Sequence, residues 1–324
     1  NRKNLTVLSK VHVNKVLFCD KTATGVSVSI NNKAVVLHAK KEVVLSAGAI
    51  NSPQILMLSG VGPKEQLKQH NIEIVNELSG VGENLHDHLT VVPLYKAKYS
   101  KGTFGISAGG AFNIAKGCVD WFAKREGQLT SNFAESHAFI KLFSDSKVPD
   151  VQLEFVIGLV DDHSRKLHLG HGYSIHCSIM QPKSRGTIRL ADATPLSAPL
   201  IDPNYLSHPD DLNVMLAGLK KTLQIMQSEA FDVIRGNMVY PLDINNNEQL
   251  IEYIRQTAET EYHPVGTCKM GQDAMAVVNS QLQVHGVKNL RVVDASIMPH
   301  IITGNTNAGV IAIAEKAADL IKLA

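Results

Sequence analysis

Two stretches of strand-to-helix texture, about 245 residues apart, constrain what this chain can become. The first, Leu45-Ser46-Ala47-Gly48-Ala49-Ile50-Asn51-Ser52-Pro53-Gln54-Ile55-Leu56-Met57-Leu58-Ser59-Gly60-Val61-Gly62, runs from an apolar strand through small residues into a short helix closed by glycines. The second, Leu290-Arg291-Val292-Val293-Asp294-Ala295-Ser296-Ile297-Met298-Pro299, is a buried-type strand ending in an acid and a small residue. It leads through Gly304-Asn305-Thr306-Asn307-Ala308 into a final helix, 308–323. Open α/β sheets bind ligands outside the carboxyl ends of such strands. The pattern predicts an α/β (α+β) chain whose first domain is discontinuous.

The rest of the chain fills in around those stretches. Residues 4–48 read as four short strands, 5–11, 13–19, 25–30 and 35–46, turned at Asp20-Lys21-Thr22 and Asn31-Asn32-Lys33. Asn51-Ser52-Pro53 is the expected start of the following helix, with a cap candidate and an early proline. From about His86 the texture changes to aromatic-containing strands near 151–157 and 173–180. Helical periodicity follows over 210–227, with Leu212, Met215, Leu216, Leu219 and Leu223 on one face, and over 249–257. The expected domains are 1–85, part of a cofactor domain; 86–259, a substrate-binding domain with a mixed or antiparallel sheet and flanking helices; and 260–324, the return to the first domain.

Composition excludes several classes of function. At 44% hydrophobic content and 324 residues the chain can bury a sizeable core. Its net charge of +2 leaves no basic stripe of the kind nucleic acid requires, so no nucleic acid partner is expected. No apolar run reaches the roughly 18 residues that span a bilayer. Cys19, Cys118, Cys177 and Cys268 form no Cys-x-x-Cys pair, which argues against a zinc site and a disulfide framework. His163, His168, His171 and His176 lack a fixed ligand spacing and read as surface loop histidines, with no metal expected.

The chemistry concentrates near the end of the chain. Tyr262-His263-Pro264-Val265-Gly266-Thr267 and the Asn305 loop offer an imidazole and a neutral amide that could share one substrate oxygen. A histidine near its ordinary pKa can take a hydroxyl proton, and a carboxamide can hold the oxygen without competing for that proton. The pairing suits oxidation of an alcohol.

These residues together resemble the glucose-methanol-choline (GMC) family of FAD-dependent oxidoreductases over essentially the whole chain. The 48–62 run resembles that family's second signature. Pro182-Lys183-Ser184-Arg185-Gly186, Ile201-Asp202-Pro203-Asn204-Tyr205 and Gln128-Leu129-Thr130-Ser131-Asn132 resemble its choline and aliphatic alcohol dehydrogenases. The resemblance implies FAD as cofactor, His263 and Asn305 as the catalytic pair, and cofactor contacts from Val13, Ala47, Gly48, Tyr262, Asp294, Ala295, Thr306 and Asn307. It implies a primary alcohol as substrate, an aldehyde as product, and a quinone or other non-nicotinamide electron acceptor. The location it implies is cytoplasmic or peripheral on the cytoplasmic face of a membrane. Glu135 could attract a cationic head group, although Glu135-Ser136-His137-Ala138 departs from the choline-type Glu-Ala-Gly-Gly.

One departure is larger. No complete Gly-x-Gly-x-x-Gly occurs; Gly60-Val61-Gly62 and Gly80-Val81-Gly82 lack the third glycine. The N-terminal dinucleotide-binding unit is therefore expected to be absent, the chain to be a C-terminal portion with its N-terminal part missing, and FAD retention to be in question. Two alternatives follow, choline dehydrogenase and a catalytically incomplete apo fragment; a lyase on the same scaffold is a third. Gly105-Ile106-Ser107-Ala108-Gly109 fits a hydrolase nucleophile elbow, but the stretch before it carries Lys96 and Lys98, where that elbow needs a buried strand.

Overall fold

A computed structural model describes residues 2–100 and 102–323. Asp20 and the pair Asn31-Asn32 sit at positive φ (52°, 50° and 62°), backbone that short polar side chains tolerate. They turn the chain between three antiparallel strands, Val11–Cys19, Thr22–Ile30 and Lys33–His38. Residues 5–10 form no strand: Leu5, Val7 and Leu8 are exposed and have no sheet to face. The expected strand over 35–46 divides, and its second part, Val43–Leu45, pairs in parallel with Leu290–Val292, with Val43 opposite Leu290 and Leu45 opposite Val292.

Helix Gly48–Leu58 begins three residues before the expected Asn51, so Pro53 lies inside it rather than in its first turn. A proline there removes the N–H that would bond the carbonyl four residues earlier. That carbonyl belongs to Ala49, and the buried Thr267 hydroxyl donates to it at 2.6 Å instead. Thr267→Val is expected to orphan the carbonyl and to lower the unfolding free energy by about 1–3 kcal/mol, read from urea denaturation. An unchanged midpoint would remove this account of the internal proline.

The chain divides into two compact units. The first holds the described residues up to Asp87, Ser184–Tyr205, and those from His263 onward. Residues 184–205, expected in the middle domain, pack here because the hairpin Thr187–Arg189/Leu200–Asp202 places Ile188 and Leu190 in this unit's core, alongside Leu56, Met57, Val61 and Val292. The flanking boundaries fall at 87/88 and 262/263 rather than at 85/86 and 259/260.

The second unit, His88–Lys183 with Leu206–Tyr262, is built on an antiparallel sheet. Its central strand, Gly170–Ile179, is flanked by Val151–Val156 and then Ala134–Ile140 on one side, and by Leu89–Val91 and Leu94–Ala97 on the other. Helix Pro209–Met226 buries Met215, Leu219 and Leu223 against it. Gly218 is required at the contact, since a Cβ there would stand 2.7 Å from Cys177 Sγ. The opposite face of the strands is polar and carries His137, Glu154 and His176.

The four histidines are not exposed loop residues as expected. His168 lies 2.6 Å from Asp161, His163 3.1 Å from Glu259 and His176 3.5 Å from Glu261, all with mostly buried side chains, and His171 lies 2.7 Å from Ser107. Burial pushes the Glu261 carboxyl up, but hydrogen bonding and charge from His176, with help from Ser178, outweigh that and hold it below the usual carboxylate range. A carboxyl depressed by folding contributes stability that is present above its unfolded pKa and is lost as pH falls through the folded one. Glu261→Gln is therefore expected to flatten the acid limb of a stability-against-pH curve measured by urea unfolding; an unchanged acid limb would contradict this. Glu259 has the opposite sign, its carboxyl raised chiefly by burial.

All four cysteines are free; Cys19 and Cys118 are exposed, Cys177 and Cys268 buried. Burial pushes the Cys177 thiol up to about 12 and raises that of Cys268 as well. Thiolate, not thiol, is the nucleophile. A disulfide reagent at neutral pH should label two thiols quickly and the other two only in denaturant.

Candidate active site

The His263 segment is held from two sides. On one, His86 and Val265 exchange both backbone hydrogen bonds, at 3.0 and 2.9 Å, and Asp87 Oδ1 accepts the His263 N–H at 2.9 Å. The other oxygen of Asp87 accepts from the Tyr205 hydroxyl. On the other side, the Gly266, Cys268 and Met270 N–H groups donate to the carbonyls of Ala295, Ser296 and Ile297. Asn84 ties the sides together, its amide donating to the carbonyls of Gly266 (3.2 Å) and Pro299 (3.3 Å). Gly266 has φ 94°, and a Cβ on it would stand 2.5 Å from the Asn84 carbonyl oxygen, so only glycine fits.

Asn305 sits at the N-cap of the terminal helix Thr306–Lys322 in extended backbone, φ −62° and ψ 128°. An asparagine there ordinarily turns its side chain onto the first helical N–H groups. Asn305 makes no such bond and is exposed. Thr306 behind it is buried and Asn307 exposed. The His263 and Asn305 segments share one anchor: Val265 packs with Met298 and Ile301, and against these lie Ala295 from the preceding strand end and Val310 and Ile313 from the helix that Asn305 opens.

Asp294 is buried at the mouth of helix Gly48–Leu58. Its Oδ2 accepts from the Gly48 N–H at 3.0 Å and the Ser52 hydroxyl at 2.5 Å, while Oδ1 accepts from the Ser296 N–H at 2.8 Å. Ser52 Oγ in turn accepts from the Ala47 N–H. A carboxylate at a helix N-terminus is favoured by the exposed N–H groups and the helix dipole. The N–H groups of Ala47 and Gly48 are thus engaged within the chain, and Asp294 is the group that fixes them.

Val13 and Ala47 line one open cleft of about 470 Å³ in this unit, together with Val26, Leu37, Val43 and Ile55. Gly48, Asp294 and Ala295 do not line it. Tyr262 and Glu135 belong to the other unit. Tyr262 is exposed, its ring centroid 4.6 Å from that of His163, and its φ of 58° is left-handed, a strain of about 1–2 kcal/mol for a residue with a side chain. Glu135 is exposed on strand Ala134–Ile140, at an irregularity in its pairing.

Asn84, Asp87, Thr267 and Tyr205 also build the site, and none of them by itself stands out in the sequence as doing so. The signal for the first two was available in Glu83-Asn84-Leu85-His86-Asp87-His88, a run too polar for a strand whose histidines and aspartate the structure buries. Ser107 is a helix cap rather than a nucleophile elbow. It lies in extended backbone, φ −158°, and accepts from the Gly110 N–H at 2.9 Å to start helix Ala108–Lys124. Among the described residues no group of three or more histidine, cysteine, aspartate or glutamate side chains could hold a metal ion.

Two GMC oxidoreductase family models, an N-terminal and a C-terminal one, match residues 1–90 and 182–314, together well over half the chain. The first match corrects the expectation that the N-terminal unit is absent: residues 1–90 are N-terminal-domain sequence, although no Gly-x-Gly-x-x-Gly stands in it. An alcohol dehydrogenase [acceptor] of Pseudomonas putida is 44% identical over 99% of this chain and 58% of its own length. An oxygen-dependent choline dehydrogenase of Cronobacter sakazakii is 41% identical, with the same coverage. The chain thus spans a little over half the length of these curated relatives. Among solved structures, formate oxidase of Aspergillus oryzae superposes with a TM-score of 0.90 at 26% identity, covering 100% of this chain and 62% of that one. Pyridoxine 4-oxidase of Mesorbium loti superposes with a TM-score of 0.84 at 28% identity, covering 98% and 58%. On these matches, the chain belongs to the GMC oxidoreductase family.

Proposed function

We propose that this chain carries the alcohol-handling residues of an FAD-dependent dehydrogenase that oxidises a primary alcohol to an aldehyde. The observation that carries the reading is the common anchoring of the His263 and Asn305 segments on Val265, Met298 and Ile301. It brings the segments carrying an imidazole and a carboxamide that makes no cap bond against one apolar cluster. His263 accepts the hydroxyl proton, and Asn305 holds the substrate oxygen by donating from its amide. FAD, when bound, supplies the acceptor for the hydride leaving the carbinol carbon.

The cleft supports that cofactor. Its lining by Val13, Val26, Leu37, Val43 and Ala47 suits a flat, weakly polar heterocycle, and Val13 and Ala47 are two of the positions expected to touch FAD. Asp294 acts through Ala47 and Gly48, whose backbone it locks, rather than through a free carboxylate. Asn307 and Thr306 open the terminal helix, whose N-terminus favours negative charge. Electrons leave to a quinone or another non-nicotinamide acceptor, in keeping with the Pseudomonas putida relative's name.

The test is the visible spectrum of the purified protein with FAD, recorded anaerobically with octanol and separately with choline. Bleaching by octanol supports an aliphatic substrate; bleaching by choline alone moves the reading to the choline dehydrogenases; bleaching by neither would overturn it. Asn305→Ala is expected to slow bleaching while leaving helix stability within about 0.5 kcal/mol. The loss of about 1 kcal/mol usual for a capping asparagine should not occur, because no cap bond exists to lose. A full cap-sized loss in a thermal melt would contradict that.

A further inference from the structure

The chain leaves the first unit after Asp87, returns at Ser184, leaves again after Tyr205 and returns at His263. Three of these four residues meet at one carboxylate, that of Asp87. Its Oδ1 accepts the His263 N–H at 2.9 Å, and its Oδ2 accepts the Tyr205 hydroxyl. Hydrogen bonds to an ionised acceptor are roughly twice as strong as neutral ones. Asp87 is buried, and the backbone leading to it is set from both sides. Leu85 exchanges both backbone hydrogen bonds with Gly186, at 3.0 and 2.9 Å, and His86 exchanges both with Val265. Gly186 admits no side chain, since a Cβ there would stand 2.2 Å from the Asp202 carbonyl oxygen. The carboxylate therefore acts from a fixed place.

His263 needs such a place. Tyr262, immediately before it, has a left-handed φ of 58°, and backbone of that kind persists only where its surroundings over-determine it. The Tyr262 N–H donates to Thr260 Oγ1 at 2.9 Å, and the next N–H, that of His263, goes to Asp87. Pro264 has no N–H to give, and the backbone is next tied at Val265, on His86. Asp87 thus holds the chain at the residue whose imidazole does the chemistry. Tyr205 holds Asp87 in turn: with Oδ2 engaged by the hydroxyl, the carboxylate cannot rotate without giving up one of its two bonds. Tyr205 is itself placed by Asn204, at φ 51°, whose amide donates to the Arg185 carbonyl at 2.9 Å.

We infer that Asp87, held by Tyr205, is a positioning residue for the oxidation: it fixes the His263 backbone, and with it the point from which the imidazole reaches the substrate hydroxyl. The inference rests on the proton-acceptor role proposed for His263. A displacement of about 1 Å in a catalytic group lowers a rate about 10²-fold, so a bond that touches neither substrate nor flavin can govern turnover.

Two measurements on the full chain test it. Anaerobic flavin reduction over a range of primary alcohol concentrations gives a limiting rate and an apparent alcohol affinity, and hydrogen–deuterium exchange at the His263 amide, with or without FAD, reports the bond itself. Asp87→Ala is expected to lower the limiting rate about 10- to 100-fold while alcohol affinity stays within about threefold, and to speed exchange at His263 about tenfold or more. Tyr205→Phe should do both to a smaller extent. Asp87→Asn, which keeps an oxygen for the His263 N–H and offers an amide to the Tyr205 oxygen, should recover most of the rate. A residue that only stabilised the fold would lower the urea midpoint without this split between rate and affinity. Unchanged exchange in both Asp87→Ala and Tyr205→Phe would overturn the inference. So would full limiting rates in both beside a slow His263→Ala, a result that leaves the role of His263 standing. No alcohol-dependent reduction by the unaltered protein would overturn that role and this inference together.

Discussion

Replacing His263 with alanine is expected to slow the reduction of bound FAD by an alcohol about 10²- to 10⁴-fold, the range that a positioned general base contributes. Folding should change little. The contact that locates the segment is the residue's backbone N–H on Asp87 Oδ1, with Val265 zipped to His86, and alanine retains both. The readout is a single-turnover, anaerobic decay of the flavin band beside a urea melt. A loss of stability equal to the loss of rate would make His263 a structural residue instead.

The second large effect belongs to Asp294. Its carboxylate accepts three hydrogen bonds, from Gly48, Ser52 and Ser296, in a buried position. Asp294→Ala leaves those donors without acceptors and is expected to lower the unfolding free energy by about 3 kcal/mol, a large share of a stability of about 5–15 kcal/mol. Asp294→Asn, which keeps an acceptor oxygen, should cost less. Because Ser52 Oγ passes the constraint to the Ala47 N–H, FAD affinity should fall with stability in the alanine variant. Unfolding followed by fluorescence and FAD binding followed by flavin quenching measure the two together. A fully stable alanine variant with reduced FAD affinity would mean that the carboxylate serves the cofactor rather than the helix.

The contrast between these two residues shows what the sequence made legible. His263 and Asn305 stand out because each is a polar group in a short, rigid context of proline, glycine and small residues, and the structure ties both contexts to one apolar cluster. That the 290–299 stretch returns to the same domain as the 45–62 stretch was readable as well, but its parallel pairing with Val43–Leu45 was not. Asp294 was visible as an acid at a strand end, but two of its three partners, Gly48 and Ser52, are 246 and 242 residues away. No local pattern announces them. Separations of 218 and 176 residues likewise hid Thr267, which completes the proline-interrupted turn of helix Gly48–Leu58, and Asp87, which seats the His263 backbone. Pro53 misplaced the helix start because a proline is usual in a first turn and costly later, and the compensating hydroxyl comes from elsewhere in the chain. Residues 5–10 have the alternation of a strand without a neighbouring strand to bond, and periodicity alone does not say whether a partner exists.

Residues 184–205 illustrate a further limit. Their short strands carry no feature that assigns them to either unit, and what decides is that Ile188 and Leu190 fill space in the first core. The histidines of the second unit were similarly opaque. His163 and His176 meet Glu259 and Glu261 from far along the chain, and His171 meets Ser107, whereas His168 meets Asp161 only seven residues back.

The proton-acceptor role of His263 is tested by the rate of anaerobic flavin reduction, measured with a primary alcohol and with the same alcohol deuterated at the carbinol carbon, for the unaltered protein, for His263→Ala and for His263→Gln. A primary isotope effect is expected throughout, with the rate about 10²-fold or more lower in both variants. An undiminished rate in His263→Ala, or no alcohol-dependent flavin reduction by the unaltered protein, would contradict that role.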